Sequence, residues 1–416
     1  MTAVHTEDTS VPVPENLLPG EFGSAAPTVS GIRASIAPIL ERIGATASAR
    51  EDTRDYAFDE VRALAARRIG LTGIARSDGG AGGSVREVAD LVIDIARADS
   101  NIAQALRPTF LIANQIAARS EVPHRAVNLE RLRGGALFAG TGNERNGGAS
   151  GSVSTTARRV DGGWIVSGRK YYSTGGLYAS YFSSQAVTDD GTILRFTVPT
   201  DRPGLERLDD FDAVGQRLTQ SGSTHLHELL VRDDEVVVAG EDRPDNPWGG
   251  SFAQLYLAAV QAGIAARALD DAVGFVREKA RPIKHSSASS SVDDPYVRET
   301  VGQIGARARA ARAVVLVAAE SLQDLRGTTG EAARRAGADA AVAVAEAGTI
   351  AIESALTATE LLFDVGGGSI TNRDLGFDRH WRNARTAANH NPRQWKAAVA
   401  GAYHLTGEEP PTTGLF

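Results

Sequence analysis

The chain contains no cysteine. That excludes disulfides, thiolate metal ligation and a cysteine nucleophile. Basic residues are not in excess: 44 Lys and Arg stand against 51 Asp and Glu, for a net charge of −7. A nucleic-acid binder concentrates positive charge on one face, and no basic cluster does so here. No apolar run approaches the length of a membrane span, and no secretory h-region opens the chain, so a cytoplasmic protein without a membrane partner is expected. A strand-linked Gly-x-Gly-x-x-Gly fingerprint is also missing. The nearest match, Gly140-Thr-Gly142, continues as Asn-Glu-Arg and lacks the third glycine, so no internal nicotinamide site is expected. The glycine-rich stretch Gly79 to Gly83 ends in no Lys-Ser/Thr pair. It reads as a connector between helices rather than a phosphate cradle.

What is present fits a globular protein of two or three compact domains: 416 residues, 42% hydrophobic and 23% charged. Residues 1–28 are polar and rich in Pro, Ser and Thr, the composition of a mobile tail. Residues 29–135 carry helical spacing. Phe58, Val61, Leu64 and Ala65 recur at i, i+3 and i+4, with Gly70 as a stop, and Ser84 with Glu87 forms a capping box. Over residues 136–245 the period changes to two. Asp161-Gly-Gly163 and Asp189-Asp-Gly191 mark hairpins, and a third β segment runs from Ser223 to Val238. Over residues 246–416 helices return: Phe252 to Glu278, Val301 to Leu325, and an alanine-rich run from Ala332 to Phe363 opened by Thr328 and Glu331. A shorter helix spans roughly Arg385 to His404. The expected fold class is α+β: an N-terminal helical domain, a middle antiparallel β-barrel domain and a C-terminal four-helix bundle.

Near the end lies Gly376-Phe-Asp-Arg-His-Trp-Arg-Asn-Ala-Arg-Thr-Ala-Ala-Asn-His-Asn-Pro392. This segment resembles one in the acyl-CoA dehydrogenase superfamily that carries an Arg-Asp pair and, nine residues after the Arg, a catalytic glutamate. Here Arg382-Asn383 stands for the pair, and nine residues on is Asn391, an amide that cannot take a proton from a substrate carbon. Other segments support the resemblance across nearly the whole chain. Gly70-Leu71 through Gly82, the hairpin Asp161 to Gly176, Val214-Gly-Gln-Arg217 with Ser221 to Thr224, Arg281, and Gly366-Gly367 occur in the superfamily's order. Gln220 to Thr224, Asp294-Pro-Tyr296, Trp381 to Thr386 and His390 before Pro392 are similar to the flavin-dependent monooxygenase branch, typified by dibenzothiophene monooxygenase. Asn143-Glu144-Arg145 departs from the dehydrogenases' Thr-Glu-Pro, and Thr109 and Asn114 depart from the dibenzothiophene enzyme on the substrate side.

The resemblance implies a two-component monooxygenase. Reduced FMN, with FAD as the other candidate, would arrive from a separate NAD(P)H flavin reductase. It would form a C4a-(hydro)peroxide with dioxygen and oxygenate a small heterocyclic, sulfur- or nitrogen-containing substrate. The implied catalytic residues are His390 and Thr174. The implied cofactor contacts are Tyr172, Ser173, Thr174, Arg281, Gly366, Gly367 and Asn391, in a homotetramer. The residues also admit plainer readings. His390 could cap a helix end before Pro392. Arg281 could be a phosphate clamp or a charge complementing a helix dipole. Gly366-Gly367 could serve as a turn. The competing function is an acyl-CoA dehydrogenase-type flavoprotein oxidising an acyl thioester, with a base displaced to Glu346, Glu353 or Glu360. Their spacing reads more simply as a solvated stripe. His225 and His227 lie two apart on a strand with no partner at metal-ligand spacing and read as structural, so no metal is expected.

Overall fold

The structure, a computed structural model, describes residues 26–145, 152–239, 248–282, 284–326 and 328–412. The expected tail lies outside the described residues up to position 25. Helix α1 (Val29–Thr53) starts on Thr28, whose hydroxyl accepts the Gly31 N–H. Helix α2 (Phe58–Ala66) ends at Arg67, earlier than expected, and Gly70 sits in a buried 3-10 turn, Ile69–Leu71. Helix α3 (Val85–Ala98) opens with the expected capping box of Ser84 and Glu87. Its Leu91, Val92, Ile93 and Ile95 are fully buried, each worth about 1.5–3 kcal/mol of transfer free energy. The glycine-rich connector before α3 folds back on its own chain. A Cβ on Gly83 would stand 2.5 Å from the Thr72 carbonyl oxygen, so a side chain is excluded there. Helices α4 (Ser100–Ala105), α5 (Arg107–Ala118) and α6 (Arg125–Arg133) follow.

Among the described residues the middle region holds eight strands: β1 (Phe138–Gly140), β2 (Thr156–Val160), β3 (Gly163–Lys170), β4 (Tyr181–Thr188), β5 (Ile193–Pro199), β6 (Leu205–Arg207), β7 (Thr224–Arg232) and β8 (Val236–Val238). Both expected hairpins form, β2–β3 and β4–β5. The expected antiparallel barrel is corrected in two respects. The sheet is mixed, because β4 pairs parallel to both β1 and β2. Its strand path runs β6-β7-β3-β2-β4-β5-β8, and among the described residues no pairing joins the two ends. Parallel pairs require long crossovers that local patterning does not reveal.

Helices then return as α7 (Ser251–Glu278), α8 (Pro295–Asp324) and α9 (Gly330–Leu361). Helix α8 begins six residues before the expected start. Asp294 caps it, accepting the N–H groups of Tyr296 and Val297 at 2.9 and 3.2 Å, and Pro295 takes the first helical position. Helix α9 is capped at Thr329 without a side-chain bond, so the expected Thr328–Glu331 box does not form. Its alanines let it lie close to α7 and α8. The expected last helix is two helices, α10 (Asp378–Ala388) and α11 (Arg393–Thr406). Pro392 disfavours helical geometry at the residue before it, and the chain turns a corner at Asn389 to Pro392. One apolar core joins these layers, from Ile36 of α1 and Leu91 of α3 through Phe182 of β4 to Leu255 of α7 and Ile304 of α8.

Two helical stretches, Ser251–Glu278 and Gly330–Val365, are long and apolar enough to cross a membrane, which corrects the expectation that no run approaches that length. Their most apolar windows are 78% and 61% buried inside the protein, so the apolar length is used in the core.

Candidate active site

The α10–α11 corner carries His390 and Asn391. Asn391 is buried; its Oδ1 accepts from Gln254 Nε2 of α7 at 3.1 Å and from His390 Nδ1 at 3.0 Å. The directions of these bonds follow from Lys396 of α11, which has donors only. Its Nζ donates to Gln254 Oε1 at 2.8 Å. That turns the Gln254 amide NH2 toward Asn391, which fixes the Asn391 oxygen between its neighbours. His390 Nδ1 must therefore carry the proton, and its Nε2 is left as an acceptor. Arg107, opening α5, directs Nη1 at that nitrogen from 3.5 Å. Crowding by protein, then the Arg107 charge, pushes the imidazole down to about 4. The residue is nonetheless exposed to solvent. The ring is neutral at neutral pH. Burial also lowers Lys396, to about 8.

The second part of the candidate site is the turn after β3. Tyr172 adopts φ 61, a left-handed conformation uncommon for a non-glycine residue, and leaves its ring exposed. The turn is braced from beneath. Arg145 stacks over the Tyr171 ring at 3.7 Å and donates to its hydroxyl at 2.7 Å. Ser173 is buried and its hydroxyl accepts from Thr224 at 2.7 Å, which helps hold the turn. Thr174 Oγ1 accepts from Ser221 at 3.1 Å, while its own hydroxyl has only a long contact with the Tyr172 carbonyl, 3.4 Å, and remains available to donate.

The two parts meet at the α4–α5 junction. A Cβ on Gly175 would stand 2.5 Å from the Ala105 carbonyl oxygen, and two residues later Arg107 reaches His390. Tyr256 of α7 secures the junction by donating to the Ala103 carbonyl at 2.6 Å. Among the described residues, three buried polar atoms on the framing segments lack a protein partner: Gln104 Oε1, Arg107 Nε and Gln220 Nε2. Such atoms are costly unless a ligand or water meets them.

Arg382-Asn383 joins α10 to the rest of the molecule. Asn383 Oδ1 accepts the Gln216 N–H at 2.6 Å, and Arg382 Nη1 donates to Glu51 Oε1 at 2.9 Å. Arg382 and Asn383 thus tie α10 to α1 and to the loop carrying Gln220 and Ser221. Thr109 accepts the Phe138 N–H at 2.9 Å and is structural. Glu144 forms a buried ion pair with Lys170 at 2.6 Å. Burial opposes its charge, but Lys170 and the Ser154 and Thr155 donors outweigh that and hold the carboxyl at about 2.

Arg281 and Gly366-Gly367 do not join this cleft within one chain. Arg281 lies beyond α7, which ends at Glu278, and is exposed without a hydrogen-bond or ion-pair partner among the described residues. A Cβ on Gly366 would meet the Phe275 ring at 2.5 Å, whereas Gly367 faces open space. Phe275 is 21 residues along α7 from Gln254, roughly 30 Å at the helical rise of 1.5 Å per residue. Glu346, Glu353 and Glu360 are exposed, as the solvated stripe predicts. The residues that sequence reading missed are Arg107, Gln254, Lys396 and Ser221. Gln254 and Lys396 carried one signal, a polar side chain within an apolar helix stripe.

The family described as acyl-CoA dehydrogenase, C-terminal domain, matches residues 255–395. The chain is 28% identical to a dibenzothiophene monooxygenase of Mycolicibacterium goodii over 89% of its own length and 91% of the relative's. It is 28% identical to a probable FMNH2-dependent monooxygenase, SfnC, of Pseudomonas putida over 81% and 85% of the two chains. The FMN-bound TdsC structure from Paenibacillus sp. A11-2 superposes with a TM-score of 0.85 at 24% identity, covering 92% of this chain and 100% of that one, and establishes the shared fold. Residues 255–395 thus match the acyl-CoA dehydrogenase C-terminal domain family, and over most of its length the chain is similar to flavin-dependent monooxygenases.

Proposed function

We propose that the chain is a two-component monooxygenase that takes reduced FMN from a separate NAD(P)H flavin reductase. With dioxygen it oxygenates a small heterocyclic, sulfur- or nitrogen-containing substrate. One observation carries this reading: the position of the dehydrogenase base is Asn391, a buried amide whose Oδ1 accepts from Gln254 and His390. The names of the relatives support the same chemistry. FMN fits the cleft, since the unpartnered atoms of Gln104, Arg107 and Gln220 offer the mixed donors and acceptors that the edge of a flavin ring requires. Bound reduced FMN supplies the activation of dioxygen. The chain's own residues then have distinct tasks. Thr174 offers a hydroxyl hydrogen from one part of the site. Neutral His390 offers Nε2 as a proton acceptor from the other, its tautomer set through Asn391 and Gln254 by Lys396. Arg107 places a positive charge beside the reacting region.

The separation along α7 supports a homotetramer. If Arg281 and Gly367 contact a flavin, it is one seated in a neighbouring subunit's cleft. Sedimentation at micromolar concentration tests assembly, and a monomer would contradict it.

The function is tested by supplying enzymatically reduced FMN, dioxygen and dibenzothiophene or indole, and measuring product mass. Gain of one oxygen atom is expected. Flavin reduction by an acyl-CoA, with no oxygenated product from any heterocycle, would contradict the reading.

A further inference from the structure

The sheet edge carries a second cluster. β6 has only three residues, and its central one, Glu206, pairs directly opposite His225 of β7. His227 follows two residues on, so both rings project to the same face. The strand alternates here: Thr224 and Leu226 are buried, while His225 is half-buried and His227 exposed. Both rings converge on one oxygen. Glu206 Oε2 lies 3.0 Å from His227 Nε2 and 3.5 Å from His225 Nδ1. The three donor atoms all lie within 4.8 Å of one another. The rings stand nearly perpendicular, at 85°, with centroids 5.7 Å apart.

A surface ion pair needs one histidine and one carboxylate. Two imidazoles on the same oxygen, from neighbouring strands, instead make a two-nitrogen, one-oxygen donor set. That set suits Zn2+ and similar divalent ions of borderline softness. Around a tetrahedral Zn2+, with bonds of about 2.0–2.2 Å, donor atoms stand roughly 3.3 Å apart. Closing from the present spacing needs only side-chain rotation, which the exposed Glu206 and His227 can make. Arg169 of β3 pairs with His225 across the ladder, and the Glu206 carboxylate counters its positive charge.

We propose that Glu206, His225 and His227 form a binding site for a divalent transition-metal ion, with a fourth position open to water. The ion pins the edge strand β6 to β7. The site is separate from the candidate active site, because Thr224, one residue before His225, points to the other face and holds Ser173. The sequence offered two histidines without a partner; the β6–β7 pairing supplies the third ligand.

The test uses the full chain without a polyhistidine tag, stripped with chelator and titrated calorimetrically with ZnCl2. One ion per chain is expected, with proton release and a zinc-dependent rise in Tm. Binding should weaken at least tenfold in His225→Ala or His227→Ala and vanish in the double variant, while Glu206→Gln weakens it without touching either ring. Zinc-free oxygenation should be equal in all of them. Absence of stoichiometric binding to the wild type would overturn the proposal. So would undiminished binding in the double variant, which would move the ion elsewhere, for example to His404 and Glu346. Neither result depends on the oxygenase reading.

Discussion

Replacing Asn391 by aspartate keeps the shape of the corner and changes its charge. The new carboxylate would still accept from Gln254 and from His390 Nδ1, at the observed 3.1 and 3.0 Å. It adds one negative charge about 4 Å from the centre of the imidazole. The cleft is open to solvent, so an effective dielectric constant of roughly 40 is appropriate. The interaction is then about 2 kcal/mol, or about 1.5 pH units. His390, held at about 4 in the wild type by its surroundings and Arg107, should titrate at roughly 5–6 in Asn391→Asp. The assay is NMR titration of the histidine rings, with His390→Gln to assign the signal. The wild-type coupling of oxygenation should show no His390 titration above pH 6, and the variant should gain an acidic limb. A wild-type ring titrating near 6.5, or no upward shift in the variant, would refute the tautomer and charge assignments.

Three further outcomes are expected. Burial and then Arg379 hold His380 down at about 4. The unfolded histidine, near 6.5, takes up its proton first, so stability is intact above that value and falls as pH drops toward 4, by up to about 1.4 kcal/mol per pH unit. Urea unfolding at pH 7 and pH 5 checks this, and His380→Asn should narrow the gap between the two. Glu144→Gln leaves Lys170 charged and buried without its partner and should cost about 3–5 kcal/mol, read as a drop in denaturation midpoint. Asn383→Ala strands the buried Gln216 N–H and should cost about 1–3 kcal/mol. Because the same loop carries Gln220 and Ser221, FMN affinity measured by fluorescence should fall with it.

Local chemistry made much of the fold legible. The Ser84–Glu87 box, the Asp161-Gly-Gly hairpin and the apolar run of α7 each declare themselves within a few residues. The failures share a cause. β1 and β6 are three residues long and carry no period, and the parallel partners of β4 are distant in sequence. Helical spacing runs on across Pro392, which hid the corner between α10 and α11 even though the proline itself was visible. In the candidate site, His390, Asn391 and Thr174 were named through family likeness. Gln254 and Lys396 were not, because their bonds join positions 137 and 142 residues apart. Nor could sequence alone reveal that Arg281 and Gly367 lie at the far end of α7 from His390.

The central claim is that His390 accepts a proton in the oxygenation step rather than capping a helix. It is tested by measuring oxygenated product and hydrogen peroxide together, per reduced FMN consumed, in the wild type and in His390→Ala. The expected result is near-unchanged FMN affinity, product formation slowed by roughly two to four orders of magnitude, and hydrogen peroxide released in its place. An unchanged ratio of product to peroxide in His390→Ala would contradict the account.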